Sequence, residues 1–429
     1  MRRLDTRDSH FADSFAALLA DQRELSQDVT DIVAGIIADV RARGDAALAE
    51  YTKRFDRFDY AAHPMRVTRE EIAAARAAVS NEAIEALSFA RDRIAAFHER
   101  QRPADARYVD EAGATLGWRW TPLSSVGLYV PGGLAAYPSS VLMNAVPAKV
   151  AGVERIVITV PAPDAVLAPI VLAAADLAGV TEIYRVGGAQ AIAALAYGTE
   201  TIAPVDKIVG PGNAFVASAK RQVFGAVGID LVAGPSEVVV VADHTANPEH
   251  IAADLLAQAE HDEAAQSILI TNDPMLAEDV ANAVERQLVE LPRRDVATAS
   301  WREHGAIIRV GELDEAVDLV DRLAPEHLEL AIADPDALAE RITHAGAIFL
   351  GTQTPEAIGD YVAGTNHVLP TSRSARFSSG LSLLDFMKRT TLLGVGTEGL
   401  KALADHAMQL ASTEGLDAHR LSILRRLEG

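Results

Sequence analysis

The chain has 429 residues, 49% hydrophobic and 23% charged, an ordinary globular balance at a length that suggests about three domains. Lys and Arg number 39 against 60 Asp and Glu, a formal net charge of −21, which argues against nucleic acid or an anionic membrane as partner. There is no cysteine, so disulfides, thiolate–zinc sites, iron–sulfur clusters and thiol nucleophiles are excluded, and any metal must be held by imidazole, carboxylate, amide or carbonyl groups.

The opening Met1-Arg2-Arg3 runs into Asp5, Asp8 and Asp13 with no apolar core behind it, so it does not read as a signal peptide. No apolar run approaches the about 18 residues of a membrane span, and a cytoplasmic location is expected. Residues 28–54 carry Val29, Ile32, Val33, Ile36, Ile37 and Val40 at three- and four-residue spacing, which predicts a helix. Thr68 with Glu71 is a capping-box signature at the head of a second long helix. Pro103 breaks the helical pattern, and residues 115–121 alternate as a strand does.

From 125 to 243 the pattern is strand, Gly-rich turn, helix. Residues 126–130 run into Pro131-Gly132-Gly133, and 155–160 is a strand of the buried type followed by a helix over 166–178. Residues 182–186 end in Gly187-Gly188, and 207–209 end in Gly210-Pro211-Gly212, each before a helix. A second set of strands follows at 238–241, 268–271, 306–310, 328–332 and 347–350. This alternation predicts two α/β domains with parallel sheets; whether they are a diverged pair stays open. The last stretch, about 380–429, reads as helical, with helices over 398–412 and 417–427.

Three segments hold residues suited to chemistry. In the first, Asn247 and Pro248 signal the start of a helix that ends in Gln258-Ala259-Glu260-His261-Asp262. Ile251, Leu255 and Gln258 share one face, so Gln258 lies on the apolar stripe with His261 one turn on. That is half of a metal site, or a polar helix end over a cleft. In the second, Pro325-Glu326-His327-Leu328 joins a helix to a strand, which gives either an acid/base pair or a solvated turn. In the third, the glycine-punctuated stretch 358–367 holds Asp360, a hard oxygen ligand or an Asx-type turn, and His367. Ser236 is not in a nucleophile elbow, and Gly210-Pro211-Gly212 lacks the third glycine of the dinucleotide fingerprint. Glu414 and His419 are five apart, and spacing alone gives them no role.

Seven motifs in order resemble the histidinol dehydrogenase family over essentially the whole chain. They are Tyr129-Val130-Pro131-Gly132-Gly133, Val186-Gly187-Gly188-Ala189-Gln190-Ala191-Ile192, Val209-Gly210-Pro211-Gly212-Asn213, Ala233-Gly234-Pro235-Ser236-Glu237-Val238, Gln258-Ala259-Glu260-His261-Asp262, Pro325-Glu326-His327-Leu328 and Gly364-Thr365-Asn366-His367-Val368-Leu369-Pro370. Ala257 stands where a serine is expected, at a position that is not a ligand.

The resemblance implies two incomplete Rossmann-like α/β domains, at 126–235 on the NAD side and at 236–379 with the metal and catalytic residues. It also implies a mainly helical region at 1–125, packing in part on the second domain. A C-terminal helical arm at 380–429 would reach the partner of a homodimer. Zinc would be held by Gln258, His261, Asp360 and His419, and substrate met by those four and by Ser236, Glu326, His327, His367 and Glu414, with Ser139 or Ser140 nearby. NAD would lie near Tyr129, Gln190 and Asn213.

The reaction so implied is the oxidation of L-histidinol to L-histidine through a bound aldehyde with two NAD⁺, the last step of histidine biosynthesis. His327 would be the base in both oxidations, and Glu326 would activate water. The rivals are a related zinc dehydrogenase of another small alcohol such as a hydroxysulfonate, a zinc hydrolase, and a non-catalytic binding protein.

Overall fold

The computed structural model describes residues 1–20, 27–132 and 136–428. Gly133 of the first motif lies outside them. Strand β1 (Arg2–Asp5) precedes a helical region that runs to Glu99. The helix expected over 28–54 is two, Gln27–Arg43 and Asp45–Asp56, because Gly44 between them takes φ +54°. Thr68 caps its helix as the sequence suggests: its hydroxyl accepts the Glu71 N–H (3.2 Å), and the Glu71 carboxylate accepts the Thr68 N–H (2.8 Å).

Strands β2 (Ala106–Val109) and β3 (Ala114–Pro122) pair antiparallel. Then β4 (Ser125–Tyr129), β5 (Arg155–Thr159), β6 (Glu182–Tyr184), β7 (Lys207–Val209) and β8 (Gly228–Ile229) form a parallel sheet in the order β6-β5-β4-β7-β8. A second parallel sheet follows from β9 (Glu237–Ala242), β10 (Gln266–Thr271), β11 (Ala306–Arg309), β12 (His327–Ala331) and β13 (Ala347–Leu350). Its order is β1-β11-β10-β9-β12-β13. Apart from the added edge strand β1, both sheets are wound third-second-first-fourth-fifth in chain order. The winding therefore reverses between β4 and β7 in one sheet and between β9 and β12 in the other.

The strands read as apolar runs because both faces are covered. Every residue of β9 is buried, with valines packed into clusters on opposite sides of its sheet. Phe15 and Leu18 of the helix Phe11–Leu19 join one of those clusters beside Leu4 of β1. The helices Arg69–Ala78 and Asn81–Glu99 pack on the first sheet's layer through Ile72, Leu87 and Ile94.

The last stretch is not wholly helical. It includes β14 (Met387–Val395), antiparallel to β3, before the helices Thr397–Thr413 and Asp417–Leu427. After Met387 this strand is exposed on both faces, so no alternation of apolar and polar residues marks it, and pairing along β3 holds it. Among the described residues no helix is long and apolar enough to cross a membrane.

Candidate active site

Glu326 and His327 sit where the chain enters β12, beside the start of β9. Both are buried. Glu326 Oε2 accepts the Glu237 N–H at 3.1 Å, and the Ser236 hydroxyl also bonds this carboxyl. Burial pushes the Glu326 carboxyl well above the usual carboxylate range. The Glu237 N–H opposes this, and the nearby Glu237 and Asp360 charges add to it. Burial likewise drives the His327 imidazole down to about 4, against the pull of the Asp360 carboxylate, so the ring is neutral at pH 7.

Three histidines of the site have their tautomer set the same way. His327 Nδ1 faces the Glu237 carbonyl at 3.2 Å, His261 Nδ1 the Ala257 carbonyl at 2.8 Å, and His367 Nδ1 the Asp360 carbonyl at 3.0 Å. A carbonyl only accepts, so each Nδ1 carries the proton and each Nε2 presents a lone pair. Position 257 serves through its backbone, so an alanine there leaves this bond intact. Ser140, which is buried, brings its hydroxyl within 3.4 Å of His367 Nε2.

Asp360 belongs to a short helix, Glu356–Tyr361, rather than to the loop the glycines suggest. Its Oδ1 is 3.8 Å from His327 Nε2. Gln258 is buried near the end of the helix Pro248–Ala259, on the face shared with Ile251 and Leu255. Neither its amide oxygen nor its amide nitrogen finds a hydrogen-bond partner among the described residues. An amide buried that way is costly unless something else coordinates it. The donor types of Gln258, His261 and Asp360 are ones that zinc accepts, but among the described residues the ligand atoms brought within 4.8 Å of one another are those of His327, Glu356 and Asp360. Glu414 and His419 stand apart. Both are exposed, and among the described residues neither side chain contacts the others of the set.

Tyr129, Gln190 and Asn213 line a separate cavity of about 320 Å³, reached from the carboxyl ends of β4, β6 and β7. This is the reversal point of the first sheet. The Tyr129 hydroxyl accepts the Gly188 N–H at 3.1 Å. Asn213 caps the helix Ala214–Val223, its Oδ1 accepting from Phe215 and Val216 (3.1 and 3.2 Å). Gly210 turns at φ +112° with its Cα against the Tyr129 carbonyl, where a Cβ would lie 2.2 Å from that oxygen.

Several groups escape a reading of sequence. Lys220 and Asp230 form an ion pair with side chains 2% exposed, and together they clamp Gly210. Lys220 Nζ donates to the Gly210 carbonyl (2.9 Å), and Asp230 accepts the Gly210 N–H (2.8 Å). Glu356 Oε1 lies 3.6 Å from His327 Nδ1, and its N–H donates to the buried Glu329 (2.8 Å), which in turn bonds Asp254. Buried His98 meets Asn366, the neighbour of His367, at 3.4 Å. The only signal for these is a charged or polar residue inside an apolar run, as with Glu329 in β12; the partner is never nearby in sequence.

The profile of the histidinol dehydrogenase family matches residues 19–427. A histidinol dehydrogenase of Mesorhizobium japonicum is 64% identical over 98% of both chains. One of Rhodospirillum rubrum is 63% identical over 99% of this chain and 98% of its own. The crystal structure of histidinol dehydrogenase from Elizabethkingia anophelis superposes with a TM-score of 0.95 at 37% identity, covering 100% of this chain and 98% of that one. With this fold, this ordered set of motifs and relatives this similar over their full length, the chain belongs to the histidinol dehydrogenase family.

Proposed function

We propose that the protein oxidises L-histidinol to L-histidine through a bound aldehyde, with NAD⁺ as acceptor and one zinc ion per subunit. The observation that carries this reading is the buried Glu326–His327 pair with Asp360 at 3.8 Å from the His327 ring. The buried, unpartnered Gln258 amide supports it. When bound, zinc would orient the substrate's imidazole and amine, and NAD⁺ would take the hydride of each oxidation. Gln258, His261 and Asp360 would hold the metal, with His419 as fourth ligand.

His327 is neutral at pH 7 with its Nε2 lone pair free, so it takes the alcohol proton there in the first oxidation. Glu326, its proton affinity raised by burial, takes a proton from the water that adds to the aldehyde. His327, once it has released the first proton to solvent, takes the hydrate's proton in the second oxidation. Ser236 orients the Glu326 carboxyl, and Ser140 orients His367. NAD would occupy the cavity of Tyr129, Gln190 and Asn213, which fits because a buried Gln190 oxygen lies there without a partner.

Glu414 and His419 would come from the partner subunit of a homodimer, carried on the two C-terminal helices. Their exposure in the single chain supports this. The test is NAD⁺ reduction with L-histidinol by the purified protein before and after chelation. Turnover that is lost on chelation and restored by zinc is expected. Turnover of another small alcohol in place of L-histidinol would overturn the substrate assignment.

A further inference from the structure

The cavity of Tyr129, Gln190 and Asn213 has a wall that none of the motifs includes. It is the end of the helix Asp45–Asp56, which brings Phe55 and Asp56 to the same cavity. Asp56 Oδ2 is buried and finds no hydrogen-bond partner among the described residues. The nearest cation in sequence is engaged elsewhere: Arg57 Nε donates to Asp164 Oδ1 at 2.6 Å, and its Nη2 bonds the other oxygen of the same carboxylate. Gln190 Oε1, on the same cavity, is also a buried acceptor without a donor. Two orphaned acceptors facing one space call for a ligand that brings donors.

The rest of the lining narrows the class. Phe55 and Phe215 are half-exposed rings on this cavity, and Ile36, Pro161 and Pro163 add apolar surface. Such walls suit a flat base, and at about 320 Å³ the space is in the range of small-ligand sites, roughly 300–1,000 Å³. A ligand with one flat apolar face and a pair of hydroxyl donors is a nucleoside with an unmodified ribose. We infer that Asp56 accepts the 2′- and 3′-hydroxyls of the adenosine ribose and, by its charge, excludes a dinucleotide that carries a 2′-phosphate. This rests on the proposal that the cavity is the NAD site.

The geometry accounts for selectivity without the usual fingerprint. In a standard Rossmann unit the carboxylate that reads the ribose comes from the sheet. Here it comes from a helix of the N-terminal region laid over the sheet's carboxyl edge. A 2′-phosphate would bring two like charges together in a half-buried pocket whose neighbouring guanidinium is already paired to Asp164. Burial already lifts the Asp56 carboxyl to about 6, a sign of how few compensating groups surround it.

The experiment is calorimetric titration of the intact protein with NAD⁺ and with NADP⁺, without substrate, for the unaltered chain, Asp56→Asn and Asp56→Ala. Asn is nearly isosteric and removes a buried charge, so folding is retained, and circular dichroism checks this. The unaltered chain is expected to bind NAD⁺ at least tenfold more tightly than NADP⁺. Asp56→Asn should shrink that ratio to threefold or less, chiefly by improving NADP⁺ binding. Asp56→Ala should weaken NAD⁺ binding about tenfold or more, the scale of a hydrogen bond to a charged group. An unchanged NAD⁺-to-NADP⁺ ratio in both variants would overturn the inference. If NAD⁺ binding is lost in Gln190→Ala but the Asp56 variants behave as the unaltered chain, the cavity is the NAD site and Asp56 does not read the ribose. If the unaltered chain and Gln190→Ala bind NAD⁺ equally, the cavity assignment itself fails.

Discussion

Lys220→Met tests whether the buried ion pair at Gly210 holds the turn that leads to Asn213 and the proposed NAD cavity. The substitution keeps most of the side-chain stem and removes the ammonium that meets Asp230 and the Gly210 carbonyl. Asp230, with its side chain 2% exposed, is then left as a buried charge held by the Gly210 N–H. Removing one partner of such a pair costs about 3–5 kcal/mol. Asp230→Asn alone strands the ammonium and should cost a similar amount. The double variant leaves no charge behind, and the amide oxygen introduced at position 230 can still accept the Gly210 N–H. Its cost should therefore fall below that of either single variant, because neutral replacement of a buried pair is often close to neutral. Urea unfolding of the four proteins reads the stabilities, and the KM for NAD⁺ reads the turn. Each single variant should raise that KM more than it lowers kcat. A double variant that costs the sum of the two singles would refute the reasoning, since the charges would then be acting independently.

His327→Asn should lower kcat by about a hundredfold or more, the scale of a lost general base, with zinc content measured by metal analysis unchanged. Glu326→Gln should slow oxidation of added L-histidinal more than the first oxidation of L-histidinol, as seen in single-turnover traces. Mixing refolded His327→Asn with His419→Ala should restore about a quarter of the wild-type sites, because half the dimers pair the two variants and each then has one whole site. If the arm served its own subunit, no site would be whole. Finally, burial and the neighbouring Asp254 push the Glu329 carboxyl up to about 9. The folded chain then holds a proton that the unfolded chain releases near pH 4.3, so stability should fall as pH rises from about 5 to 9. Glu329→Gln should flatten that slope in urea titrations at several pH values.

What can be read in the sequence follows burial. β9, β10 and β12 announce themselves as apolar runs because helices cover both faces of their sheet. Gln258 is legible because it shares a helical face with Ile251 and Leu255, and all three are buried. β14 is not, since exposure on both sides leaves no periodicity to read. The helix around Asp360 is hidden by its length of six residues and by Gly359 inside it. Lys220 with Asp230 and Asp254 with Glu329 depend on chain segments that only the fold brings together. The roles expected of Glu414 and His419 come from the resemblance alone, because the single chain gives neither a partner among the site residues.

A double oxidation in one site is read out by the NADH yield per L-histidinol consumed to completion with NAD⁺ in excess. Two NADH per L-histidinol are expected, none after chelation, and two again once zinc is restored. A yield of one would contradict it, because the aldehyde would then leave before Glu326 could act on it.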